Sequence, residues 1–576
     1  MRSRTRTSTT VGRRSDGSRS AALVLTVVLA TVGCTSFEAP RTGPEQERDG
    51  PSAADVATSA PDAELAVVAD ADLVTTAVSM SRALFDAAGL VVLATEGDAG
   101  GLLLGAATAV GLGVPLLVEP QSSINGADLV AEELERLGAT TVLGVGPAGG
   151  MTERRRPEAD REAREVVGVP ADPAAIEAVT GLDLAPADPV APGNETSAVA
   201  GLDPLSPAAL VPEGAEQVPA DPDLGTVPRV TRAEPLADTV VLATGEPGSV
   251  AGIATARAAG ARVVLTGGAT DPRAHAETVD ALSDAGTVVA LGAGFAGEDG
   301  LDWKVATATT GEQLPGGGQL LFPGRLLVAL YGHPGTAALG VLGEQGLEAS
   351  IQRARDHAAP YEELVEETVV PTFEIIATVA SSAPGEDGDY SAEADAEELR
   401  PWVEAAGEAG MYVLLDLQPG RTDFVTQAER YRSLLELPHV GLALDPEWRL
   451  GPADVHLTQV GSVGIDEVNR VVTWLADLTR EHALPQKLLV LHQFRLAMLP
   501  GRELLDTSRD ELAVMVHADG QGAQADKQAT WRTLRQNPPA PLSWGWKNFY
   551  DEDLPMLTPE QTLAQVDPTP SLISYQ

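Results

Sequence analysis

The residues best suited to chemistry sit at the ends of short apolar runs. Val440 to Trp448 reads Val-Gly-Leu-Ala-Leu-Asp-Pro-Glu-Trp, a buried-strand pattern that closes on two carboxylates, Asp445 and Glu447. Side chains alternate along a strand, so residues two apart share a face, and Asp445 and Glu447 are expected to enter one space. Other runs after residue 320 close in the same way: Leu326 to His333 (with Tyr331), Val370 to Glu374, Met411 to Asp416, Leu488 to Gln493 (with His492), Leu512 to Asp519 (with His517) and Leu542 to Lys547 (with Trp544 and Trp546). Carboxylates supply both acid and base in glycoside hydrolysis, one of them kept protonated by an apolar or like-charged neighbour. Glu447 is the expected proton donor, with Asp445, Asp416 or Glu374 as partner and Asp519 in the same set. Tyr331, His333, His492, His517 and Lys547 are expected to contact substrate, and Trp448, Trp544 and Trp546 to stack on sugar rings. Each has a blander role available, since a lone Asp at a strand end often caps a helix and a barrel Trp often only packs.

Parallel strands that carry reactive groups at their C-terminal ends describe the top face of a (β/α)8 barrel. Amphipathic helices lie between the runs, with Leu399, Trp402, Val403 and Ala406 on one face and Val468, Val471, Val472 and Leu475 on another. Ser571 to Tyr575 serves as an eighth strand. The span 319–576 is therefore expected to be a TIM-like barrel, with an open doubly wound sheet as the alternative. The Asp-x-Glu of Asp445 and Glu447 is similar to the tail of the glycosidase family 18 motif. Gly441 and Ala443 stand where that motif has its upstream aspartates, so substrate-assisted chitinase chemistry is not implied. No Gly-x-Ser-x-Gly elbow occurs, which argues against a serine hydrolase. His333, His492, His517 and Asp519 are metal-ligand types, but no His-x-His or His-Glu-x-x-His spacing supports them, and no metal or cofactor is expected.

The first half reads as an α/β repeat. Strand and helix patterns alternate from Leu65 to Val145 and again from Val240 to Leu291, and both passes contain Val-Val-Leu-Ala-Thr, at 91–95 and 240–244. The first copy also carries Thr76-Ala77-Val78-Ser79-Met80-Ser81, Phe85, Gly-Val-Pro-Leu-Leu-Val at 113–118 and Glu-Leu-Glu-Arg-Leu-Gly before Val142. On these motifs residues 63–150, and more weakly 237–298, resemble the cell-wall-binding repeat 2 family. That resemblance implies attachment to wall polysaccharide or peptidoglycan; a repeat kept only as scaffold is the other reading. Residues 151–236, rich in Pro, Ala and Asp, are expected to be an insertion with one short helix at Pro173 to Thr180. Residues 237–318 hold the second copy and a Gly-rich linker. No Gly-x-Gly-x-x-Gly opens a helix, so a dinucleotide site is not expected.

Arginines before an apolar run from Ala21 to Val32 and then Gly33-Cys34 look like a lipoprotein signal peptide over 1–34, with Cys34 as the lipidated residue and Thr31 in place of the usual Leu. Residues 35–62 have almost no large apolar side chain and are expected to be a tether from the membrane. Cys34 is the only cysteine, so no internal disulfide is available. A net charge of −44 over 576 residues argues against nucleic acid as a partner. Lysine occurs only at 304, 487, 527 and 547 while Arg, Ala and Gly abound, which resembles actinobacterial proteins.

Overall fold

The structure is a computed structural model that describes residues 54–149, 164–215 and 224–576. Residues 1–34 with Cys34 and the tether as far as residue 53 lie outside the described residues, while Ala54–Thr58, expected to be tether, is a strand paired with Phe85–Ala88 and Val230–Thr231. Among the described residues no helix is long and apolar enough to cross a membrane.

Two four-stranded parallel sheets carry the repeat. The first runs Leu116–Glu119, Leu90–Thr95, Thr141–Val145 and Glu165–Val169; the second runs Arg262–Leu265, Thr239–Ala243, Thr287–Leu291 and Leu65–Val68. The duplicated Val-Val-Leu-Ala segment occupies the same inner position in both sheets. Helices Ala99–Leu112 and Val250–Ala258 are apolar on nearly every side, as fits helices buried all round. With Leu73–Leu84 they form one core reached by both sheets. Thr255 of the second copy ties that layer to the first sheet, its hydroxyl accepting from Leu116 N at 3.1 Å. Asp72 caps the Leu73 helix by accepting from Val74 N and Thr75 N, and Gly113 ends the Ala99 helix in the left-handed conformation at φ 74°.

One strand lies where the linear reading does not put it. Leu65–Val68 pairs with Thr287–Leu291 of the second copy, while the first sheet takes its fourth strand from Glu165–Val169. An apolar run announces a buried strand but not which sheet edge it will join. Pro173–Thr180 is helical, started by Asp172 and Pro173 and stopped by Gly181.

The C-terminal half is a closed barrel of eight parallel strands: Arg325–Gly332, Thr368–Ala380, Tyr412–Leu417, Val440–Leu444, Lys487–Gln493, Leu512–Ala518, Ser543–Asn548 and Leu572–Tyr575. The first strand pairs with both the second and the eighth, which closes the ring. Helices follow the first seven strands except the fifth, after which two short 3-10 turns stand instead. The barrel divides its apolar residues by parity. Outward ones such as Phe373, Leu415, Leu442 and Leu491 meet the helix layer, and inward ones such as Leu327, Leu414, Val490 and Met515 fill the lower interior. Leu314 and Leu321 of the linker join that interior core.

Lys487, at the start of the fifth strand, is fully buried and donates to the carbonyls of Leu437 and Val440 at 2.8 and 2.9 Å. Burial pushes its ammonium down to about 7. Below pH 7 both folded and unfolded chains hold the proton, and the burial cost is present in full. Between about pH 7 and the ordinary lysine value near 10.4 only the unfolded chain holds it, so stability rises with pH. Urea denaturation should show the wild type gaining on Lys487→Met by up to about 1.4 kcal/mol per pH unit from pH 7 to 10. A difference that stays flat over this range would mean that Lys487 keeps its charge in the fold.

Candidate active site

Strand parity builds the site. Above the apolar interior, the next inward position on each strand is polar: Tyr331, Glu374, Asp416, His492, His517, Lys547 and Ser574, with Asp445 just past the end of the fourth strand. Register brings Tyr331 beside Glu374, His492 beside His517, and Lys547 beside Ser574. Gly545 lies opposite His517 in register; a Cβ there would come within 2.7 Å of the His517 ring, so this inward glycine makes room for the imidazole.

The polar groups form one network. Tyr331 Oη donates to Asp416 Oδ2 at 2.9 Å, and His492 donates from Nε2 to Glu374 Oε1 at 2.8 Å and from Nδ1 to Asp519 Oδ2 at 3.1 Å. Lys547 Nζ lies 3.2 Å from Asp519 Oδ1 and 3.5 Å from the centre of the Tyr331 ring. His517 Nε2 pairs with Ser574 Oγ at 3.1 Å.

Burial and neighbouring charge push these groups apart. Burial works to lower His492, but Glu374 and Asp519 outweigh it and hold the imidazolium well above the usual histidine range. Burial works to raise Glu374 and Asp519; His492 outweighs it at Glu374, and Lys547 with His492 at Asp519, so both stay ionised. Burial pushes His517 down to about 4 and lifts Asp416 to about 6, the latter against the pull of His492 and with the push of Glu374. Burial and then the Asp416 charge raise Asp445 well above the carboxylate range, and burial and then Asp519 raise Glu447. Neighbouring carboxyls pushed in opposite directions are the arrangement acid–base catalysis uses.

Above the network opens a cavity of about 790 Å³ whose lining includes Tyr331, Asp445, Glu447, Trp448, Asp519, Lys547 and Phe549. Glu447 arrives by a different route from the one its spacing suggests. The strand stops at Leu444, and Asp445 starts a 3-10 turn, Pro446–Trp448, by accepting from Glu447 N at 3.2 Å. Asp445 keeps the inward parity of the strand, and the turn, not the strand pleat, brings Glu447 to the cavity. Trp448 stacks on His456 with ring centres 5.0 Å apart at 22°. Glu374, Asp416, His492 and His517 lie fully buried beside this cavity and are not part of its lining.

Three expected contact residues lie elsewhere. Trp544 and Trp546 point outward and pack edge-on against Trp531 of the helix Gln524–Leu534 at 5.8 and 5.7 Å, because Gly545 and Lys547 take the inward parity. They are not available to stack on a sugar in the cavity. His333 falls past the strand, after Gly332 at φ 148°, and accepts from Gly335 N in a local turn. Gln418, which lines the cavity, and Ser574, which fixes His517, have no distinguishing signal beyond parity.

No protein-family model matches the sequence, and no curated protein matches it. Among solved structures, Cwp6 from Clostridium difficile is similar to it with 12% identity and a TM-score of 0.30, over 76% of this chain and 66% of that one. The chain thus spans just under two thirds of that protein's length.

Lys547 is buried against Asp519, and breaking a buried pair leaves an uncompensated charge. Lys547→Met should therefore lower unfolding free energy by about 3–5 kcal/mol in urea titration. A loss under about 1 kcal/mol would mean the pair is solvated like a surface pair.

Proposed function

We propose that this chain is a cell-envelope protein whose barrel hydrolyses wall glycan, with Glu447 as general acid. The observation that carries this reading is the shared cavity. Glu447, half-buried and raised above its usual range by burial first, lines it together with Asp519, Asp445 and the indole of Trp448. A proton donor, a second carboxylate and an aromatic surface for a sugar ring are the parts glycoside hydrolysis needs. Asp519 is the second carboxylate in this reading, since Glu374 and Asp416 lie out of the cavity lining. The location rests on the sequence: Cys34 after its apolar run, and two repeat copies resembling a wall-binding family.

Glu447→Gln keeps the shape of the side chain and removes its proton. Turnover of wall polysaccharide or muropeptide fragments should fall by about 10²-fold or more while binding survives, as loss of general acid catalysis requires. Hydrolysis that survives the substitution intact removes Glu447 from the mechanism. Binding without turnover in both proteins would favour a glycan-binding barrel with no catalysis.

Cys34→Ala should move the protein from the membrane fraction to the medium, read by fractionation and immunoblot. Unchanged retention would contradict the lipid anchor.

A further inference from the structure

Next to the cavity, four strands converge on one point. Glu374 Oε1 lies 2.8 Å from His492 Nε2 and 3.9 Å from His517 Nδ1, and Asp416 Oδ1 lies 3.9 Å from His492 Nε2. One ligand atom each from Glu374, His492 and His517 fits within a 4.8 Å span. All four side chains are fully buried, and among the described residues Glu374 Oε2, Asp416 Oδ1 and His517 Nδ1 have no hydrogen-bond partner. A buried polar atom left unmatched costs free energy comparable to a lost hydrogen bond, so three of them in one cluster call for an explanation.

Each imidazole is also held from behind. Asp519 Oδ2 accepts from His492 Nδ1, and Ser574 Oγ pairs with His517 Nε2, each at 3.1 Å. A histidine whose far nitrogen is fixed by a carboxylate or hydroxyl, with its near nitrogen turned to a carboxylate, has the orientation metal-binding histidines show. The residue types are the mixed nitrogen and oxygen donors that suit zinc.

We propose that Glu374, His492 and His517, with Asp416 as a fourth ligand, form a site for a divalent transition-metal ion, zinc foremost. Binding transfers the His492 Nε2 proton to solvent and replaces the His492–Glu374 hydrogen bond with two metal–ligand bonds. The same ion gives partners to the three unmatched atoms. This departs from the expectation of no metal. The ligands come one from each of separate strands, so no local His-x-His spacing announces them. The site stands whether or not the barrel hydrolyses glycan.

The test uses the full chain, stripped with chelator, loaded with zinc and desalted at moderate ionic strength to clear ions held loosely by the acidic surface. Elemental analysis should find one zinc per chain. Glu374→Gln and His517→Ala, checked for folding by circular dichroism, should drop below a tenth of an equivalent. Ser574→Ala, which leaves every ligand in place, should weaken zinc binding by about 10–100-fold. Should the ligand variants fail to fold, X-ray absorption of the zinc-loaded wild type decides the matter. Scattering from two imidazoles supports the site, and an all-oxygen shell overturns it. Less than a tenth of an equivalent in the wild type, or folded ligand variants that keep the full equivalent, would also overturn it.

Discussion

The interaction on which the barrel's upper half depends is the buried chain from Lys547 through Asp519 and His492 to Glu374. Two carboxylates and two cations alternate along it, and each would be prohibitively costly alone in this interior. Because each pairs with the next, the charges can lie buried beneath the cavity. Burial, with the charge of Asp416 at Asp445 and of Asp519 at Glu447, raises both carboxyls of the cavity against the pull of His492.

The remainder of the barrel supplies geometry. The inward Gly545 gives the His517 imidazole space, and the apolar lower interior, Ala443 among it, fills the barrel below. The repeat region joins the barrel through a charged seam. Lys304 meets Asp510 at 2.6 Å and also pairs with Glu298, while Arg273 lies over the Trp303 ring at 4.4 Å and donates to the Asp510 carbonyl. The seam is polar and built from loops and helix ends, whereas each of the regions it joins has its own apolar core.

The barrel was legible in the sequence because its strands are short apolar runs ending in ionisable residues, and that pattern is local. Which of those residues face inward was less legible, since it turns on parity and on where each strand stops. Trp544 and Trp546 sit at a strand end but on the outer face, and His333 follows a glycine that turns the chain away. Glu447 reaches the cavity through a 3-10 turn that Pro446 favours, although its spacing from Asp445 reads equally well as a strand. The pairing of Leu65–Val68 with the second copy, and the convergence of Glu374, His492 and His517, are long-range facts with no local signature. The repeat was visible because Val-Val-Leu-Ala-Thr is written twice, whereas the fourth strand of its first sheet, Glu165–Val169, lies in a Pro- and Ala-rich stretch with weak alternation.

The central claim is that the cavity at the C-terminal mouth of the barrel receives a sugar beside Glu447. Crystals soaked with wall polysaccharide and muropeptide fragments test it most directly. The account predicts a ring against Trp448 with a glycosidic oxygen within about 2.6–3.2 Å of the Glu447 carboxyl, the reach a proton donor needs. Fragments bound at saturating concentration only on the repeat sheets, with the cavity left to solvent, would contradict it.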